Sequence, residues 1–274
     1  MHRSRIIATL AALVFAGAAA ADAPKRVVSI NHCADQYALL IAAPGQIVSV
    51  SHVADDPFMS AMADRASAYP KNRSGAEEIY RLAPDLVLAS EWSNPLAVGM
   101  LEQLGVRVER VDGVDRLEAI AGRLREVGHL LGREAIADAL ASDVEARLAE
   151  LSAAPETNRP EAAFFHAGGY SLGEGSLAHE ILTRAGFDNL ASRVGRTDGG
   201  YIPVETLLMN KPDLLITAPA YAGASQAEAL MAHPALADIP RVESNAMWNC
   251  GLPQALDAIE QLIAIRGQLK DKEE

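Results

Sequence analysis

Glu77-Glu78-Ile79-Tyr80-Arg81-Leu82-Ala83-Pro84-Asp85-Leu86-Val87-Leu88-Ala89 is matched further down the chain by Glu205-Thr206-Leu207-Leu208-Met209-Asn210-Lys211-Pro212-Asp213-Leu214-Leu215-Ile216-Thr217. Each copy opens on a Glu, carries about two turns of apolar-periodic helix, stops at Pro-Asp and enters a short apolar run. Proline ends the helix at the residue before it, because its ring disfavours helical backbone there. A short apolar run bounded by turns reads as a buried, parallel strand. The copies lie too far apart for a solenoid repeat. They suit two similar α/β lobes.

Outward from the first copy, Arg26–Ile30 reads as a strand, with Asn31-His32-Cys33-Ala34-Asp35 at its carboxyl end and a helix over Gln36–Ala43. Ile47–Val50 is a second strand, ending in Ser51-His52. A polar loop then leads to the first copy, whose strand exits through Ser90-Glu91-Trp92. A helix over Leu96–Leu104 and a short strand over Gly105–Val111 complete a β/α alternation, the mark of a largely parallel sheet. Leu117–Leu131 reads as a helix stopped at Gly132, and Glu134–Leu151 as another. In the latter, Ile136, Leu140, Val144, Leu148 and Leu151 fall on one helical face, over a length of roughly 27 Å. Ala153–Pro160 is a polar break. Beyond it come a strand at Ala162–Phe165, a Gly-rich loop at Gly168–Ser176, a helix at Leu177–Ala185 and the second copy. The compact turn Met247–Pro253 precedes a last helix from Gln254 to about Gln268. The expected division is a leader over 1–21, a first lobe over 22–131, a linking helix over 132–153 and a second lobe over 154–270.

The chain has 274 residues, half of them apolar, enough for a full core. Its formal charge of -12, with no basic block, excludes nucleic-acid binding as its main business. Basic residues in Met1–Arg5, an apolar Ile6–Ala21 and the small residues Ala19–Ala21 make the pattern of a secretory signal peptide. The mature chain is therefore expected to be exported, in an oxidising compartment.

In an open α/β sheet, ligands sit beyond the carboxyl ends of the strands. Those ends carry His32, Cys33, His52, Trp92, His166, Tyr170, Tyr221 and Trp248, the candidate ligand-binding residues. The two tryptophans suit a large flat or greasy ligand. His32, Cys33, His52, His166 and Cys250 are residue types that zinc accepts, but the tight spacings of a dedicated site are missing, and no protein-held metal is expected. Cys33 and Cys250 are the only cysteines; a disulfide, two buried thiols and contact with a ligand all remain open. The Gly-rich loop lacks the order of a phosphate cradle, and neither Gly-x-Ser-x-Gly nor His-Glu-x-x-His occurs. Glu77 and Glu205 open the two repeated helices. Carboxylates suit that position anyway, yet their duplication also suits display to a two-fold partner.

Arg26-Val27-Val28-Ser29-Ile30-Asn31, Gly75–Ala89, Glu205–Ile216 and the turn Trp248-Asn249-Cys250-Gly251-Leu252-Pro253 resemble the periplasmic binding proteins of ABC importers for vitamin B12, haem and iron–siderophore complexes. The resemblance implies two α/β lobes with mainly parallel sheets, joined by one long backbone helix at Glu134–Leu151, with a ligand cleft between them. It implies a monomeric receptor without catalytic chemistry or a cofactor of its own, located in the periplasm. Glu77 and Glu205 then take the positions of the residues that dock to the permease dimer, and Trp92 falls near a cleft-lining aromatic. The ligand implied is a corrinoid or a ferric siderophore, with haem or a bare metal behind them. Family members that hold anionic iron complexes use clustered arginines; Arg65, Arg73, Arg193 and Arg196 are the candidates here. An exported enzyme with its site in the same cleft is the rival from another class.

Overall fold

The computed structural model describes residues 23–151, 157–219 and 225–270. The first lobe runs β1 (Val27–Ser29), α1 (His32–Ile41), β2 (Ile47–Ser51), α2 (Ala63–Ala66), β3 (Lys71–Asn72), α3 (Ala76–Arg81), β4 (Leu86–Ala89), α4 (Pro95–Gln103) and β5 (Val108–Arg110). Its sheet is parallel throughout, in the order β3-β2-β1-β4-β5. Successive strand residues face opposite ways. Val27, Leu86 and Leu88 enter a large core, while Val28, Val87 and Ala89 pack under α3 and α4 with Ile79, Val98 and Leu101.

The chain then joins the lobes through a long helical segment, a 3-10 turn at Leu117–Ala119 running into α5 (Ile120–Leu131). Gly132 stops α5 in the left-handed conformation at φ 64°. Next, α6 (Glu134–Glu150) folds back along α5, and its far end meets the last helix of the chain, α11 (Gln254–Lys270), where Arg147 pairs with Asp257 and Glu260 at 2.6 and 2.9 Å. The expectation placed the join on Glu134–Leu151 alone; helical structure linking the lobes already starts at Leu117. The buried face of α6 also differs from the expected one. It runs through Ala137, Ala141 and Val144, while Ile136 is 42% exposed. The cause is a close helix crossing. A Cβ on Gly128 of α5 would lie 2.2 Å from the Ala137 Cβ, so small residues set the contact and the larger ones are turned aside.

The second lobe runs β6 (Glu161–Phe164), β7 (Tyr170–Ser171), α7 (Leu177–Arg184), β8 (Asp188–Asn189), α8 (Leu190–Arg193), β9 (Gly200–Tyr201), α9 (Val204–Asn210), β10 (Leu214–Thr217), α10 (Gln226–Ala229), β11 (Arg241–Glu243) and α11. Its main sheet, also parallel, has the order β11-β10-β6-β8. β7 and β9 form a separate antiparallel ribbon, which the Gly-rich loop enters. Ala162, Phe164, Leu214 and Ile216 join the large core that extends from the first lobe. Ala163, Phe165 and Leu215 face a second cluster beneath α8 and α9.

The repeated stretches fold alike. Ala83 and Lys211, each just before the proline, both adopt the left-handed conformation at φ 47°. The Asp after each proline then grips the start of the neighbouring strand. Asp85 accepts from the backbone N–H groups of Lys25 and Arg26 at 2.7 and 2.9 Å, and Asp213 accepts from that of Glu161 at 2.7 Å. Pro-Asp is therefore a register device, used once per sheet. No helix among the described residues is long and apolar enough to cross a membrane.

Candidate functional site

A cavity of about 370 Å³ opens between the lobes at the carboxyl ends of both sheets. The first lobe contributes Asn31, His32 and Cys33, then Ser90, Glu91 and Trp92 after β4, then Asp112–Asp115 after β5. The second contributes Phe164 and His166 from the end of β6, Leu172, Ser176–Ala178 at the start of α7, Ser244 after β11, and Trp248–Cys250. This is where an open parallel sheet leaves backbone ends and short loops free to meet a ligand.

The helix expected from Gln36 starts earlier, at His32, because Asn31 caps it: its side-chain oxygen accepts from the N–H groups of Cys33 and Ala34 at 2.9 and 3.3 Å. His32 and Cys33 thus sit on the first turn of α1, at the cleft floor. Trp92 is 83% exposed on the rim, and Trp248 is 6% exposed on the floor, edge-on to Phe164 with ring centroids 6.0 Å apart. Phe164 also meets the His166 ring edge-on at 6.1 Å. Burial lowers the pKa of His32 and of His166, favouring the neutral form of both rings. The Nε2 of His166 is buried without a hydrogen-bond partner among the described residues.

Cys33 and Cys250 form a disulfide with their Cα atoms 5.2 Å apart, which settles the alternatives left by the sequence. It ties the start of α1 in the first lobe to the turn that follows β11 in the second. Around it, Tyr37, wholly buried on α1, places its hydroxyl 2.7 and 2.9 Å from the carbonyl oxygens of Cys250 and Gly251. Burial pushes the pKa of that phenol up. Gly113 packs tightly against this pair: a Cβ would lie 3.0 Å from the Cys250 Cα and 3.3 Å from the Cys33 sulfur.

Of the five candidate metal ligands, His32, Cys33 and Cys250 come together, their ligand atoms all within 4.8 Å of one another. His52 is exposed in the turns after β2, outside the cavity lining. Tyr170 also lies outside the lining, on the β7–β9 ribbon, where its ring meets Tyr201 edge-on. Tyr221, like the expected leader, lies outside the described residues. Arg65, Arg73, Arg193 and Arg196 are all exposed and absent from the lining, and Arg193 is paired with Glu161.

The sequence reading missed the acidic side of the cleft. Glu91, Asp112 and Asp115 line it, and among the described lining residues there is neither Lys nor Arg. Asp112 accepts from the Glu91 N–H at 2.7 Å, which holds these two loops together. The N-termini of α1 and α7 also face the cleft, each worth about half a positive charge. Asn31 already takes the N–H groups of Cys33 and Ala34, and Ser176 that of His179, and three carboxylates outweigh what is left.

A cleft between two α/β lobes, bridged by helices and walled by aromatic and carboxylate side chains, defines a two-lobed solute-binding protein. A family model described as periplasmic binding protein matches residues 27–250, and the chain belongs to that family, whose members are non-catalytic receptors working with ABC permeases. Among solved structures, the periplasmic vitamin B12 binding protein BtuF of Vibrio cholerae is 21% identical with a TM-score of 0.68, over 90% of this chain and 98% of that one. A periplasmic haem-binding protein from Pseudomonas aeruginosa is 25% identical with a TM-score of 0.69, over 88% and 92%. An ABC-type Fe3+-hydroxamate transport protein from Saccharomonospora viridis is 20% identical with a TM-score of 0.62, over 89% and 93%. No curated protein matches the chain in sequence.

Proposed function

We propose that this receptor carries a neutral or cationic metal complex, a corrinoid in first place, to an ABC permease in the inner membrane. The observation that carries the reading is the charge of the cleft: Glu91, Asp112 and Asp115 with no facing cation among the described lining residues. Haem brings two propionates, and catecholate iron complexes are anions; both would be placed against carboxylates without a partner, which is costly in a partly desolvated site. A cobalt(III) corrinoid is neutral or positive overall, with a broad face for Trp92 and Trp248 and amides for Asn31, Ser90 and Ser244. The cavity is at the lower end of the roughly 300–1,000 Å³ usual for small-molecule sites, so a whole corrinoid extends through the mouth past Trp92. Ferric hydroxamates, also neutral or cationic, are the second reading on the same ground. The test is tryptophan quenching by cyanocobalamin, diaquocobinamide, haemin, a ferric hydroxamate and a ferric catecholate. Saturable quenching by the corrinoids, at least about tenfold tighter than by haemin or the catecholate, is expected; tighter haemin binding refutes the reading.

The permease contact is proposed at Glu77 and Glu205. Both are exposed on the first turns of α3 and α9. An apolar side chain stands exposed three residues on from each, Tyr80 (49%) and Leu208 (39%), giving each lobe a charged group beside an apolar one. Replacing both glutamates with Ala should leave ligand affinity unchanged and abolish transport in cells; unchanged transport removes the docking role.

A further inference from the structure

The floor of the cleft holds a set of atoms that a plain solute receptor does not need. His32 Nε2 lies 3.4 Å from Cys33 Sγ, and with Cys250 Sγ the three ligand atoms fall within 4.8 Å of one another. One nitrogen and two sulfurs is a donor set that tetrahedral, borderline-soft ions accept, with metal–sulfur and metal–nitrogen distances of about 2.3 and 2.0–2.1 Å. Such a tetrahedron separates its ligand atoms by roughly 3.3–3.8 Å; His32 Nε2 and Cys33 Sγ, 3.4 Å apart, already meet that spacing, and the two sulfurs, now bonded to each other, reach it by parting on reduction. While the disulfide is intact neither sulfur is a thiolate, and the set is silent.

We propose that reduction of Cys33–Cys250 converts this corner of the cleft into a Cys2His site for a soft divalent ion. A dithiol reductant gives up two electrons and two protons and becomes a disulfide, while Cys33 and Cys250 become thiols. A divalent ion then binds both sulfurs and His32 Nε2, and the two thiol protons pass to solvent. All three residues line the cavity, so the fourth ligand comes from the cleft, as water or a donor atom of cargo. The surrounding backbone is held independently of the sulfur–sulfur bond. Asn31 caps α1, Tyr37 reaches the carbonyls of Cys250 and Gly251, and the Val114 N–H donates to the Cys250 carbonyl at 3.2 Å. Gln36 Nε2, 3.4 Å from Cys250 Sγ, stands ready to donate to that sulfur.

The experiment uses the full mature protein, reduced with a phosphine, freed of reductant without air and titrated with Cd2+. Reduced protein should bind one Cd2+ with an ultraviolet thiolate-to-cadmium charge-transfer band, and oxidised protein should show none. His32→Ala should keep the thiols but bind at least about tenfold more weakly, the least expected when metal coordination is disturbed. Cys33→Ser with Cys250→Ser should abolish the band, and circular dichroism should show reduced protein still folded. Absence of the band, equal affinity in His32→Ala, or loss of fold on reduction each overturns the proposal. Corrinoid quenching by the oxidised protein is read separately, so failure here and failure of the receptor reading cannot be confused.

Discussion

The two lobes share a frame and differ in the chemistry they turn towards each other. Both use the same helix, left-handed residue, Pro-Asp and strand, and in both the Asp holds the start of the adjacent strand. Yet the first lobe presents Glu91, Asp112 and Asp115 to the cleft, while the second presents Phe164, Leu172, Leu177 and Trp248. The difference separates two requirements. On the docking role proposed for Glu77 and Glu205, likeness of the two frames serves a two-fold partner. The cargo proposed above, charged at the metal and apolar over its faces, is served by unlike walls.

The largest test of this comparison breaks the tie between the lobes. The disulfide closes a sequence separation of 217 residues, so Cys250→Ser should cost about 2–5 kcal/mol in urea denaturation, chiefly through the unfolded state. A loss under about 1 kcal/mol would mean that Tyr37 and the shared core hold the lobes without it.

Next are the two register devices. Asp213→Ala leaves the partly buried Glu161 N–H without its acceptor and should cost about 1–2 kcal/mol. Asp85→Ala frees more exposed N–H groups that water can reach, and should cost about half as much. Equal losses would show that burial does not separate the lobes here.

A pH series on His166 follows. Burial lowers its folded pKa below the ordinary value of 6.5, so the unfolded chain takes the proton more readily. That contribution to stability is complete above about pH 6.5 and shrinks as pH falls towards the folded pKa. The urea midpoint should therefore fall between pH 7.5 and 5.5 by more in the wild type than in His166→Gln. Identical slopes would contradict it.

The smallest effect concerns the left-handed residues. Ala83→Gly and Lys211→Gly should each stabilise by about 0.5–1 kcal/mol, and by similar amounts, since both positions sit at φ 47°.

Much of this frame was legible because duplication and Pro-Asp are local signals. The central strands β1, β4, β6 and β10 carried their own apolar runs. The two-residue strands β3, β7, β8 and β9 are too short for any periodicity to register. The early start of α1 was readable from Asn31, a strong cap just before His32. The buried face of α6 was not, because alanines at a close crossing contribute little to an apolar pattern. In the site, aromatic and sulfur residues stood out by type, whereas Glu91, Asp112 and Asp115 looked like ordinary solvated loop charges. Their place after β4 and β5 was the available signal. The pairing of Cys33 with Cys250 depended on how the lobes meet, which spacing does not specify.

The most direct measurement is affinity of the triple variant Glu91→Gln, Asp112→Asn, Asp115→Asn for diaquocobinamide and haemin, by the same quenching titration. If the acidic wall selects the ligand, cobinamide binding should weaken by about tenfold or more, haemin binding should strengthen, and the preference between them should collapse. An unchanged preference in a folded triple variant would contradict the claim that the charge of this cleft chooses its cargo.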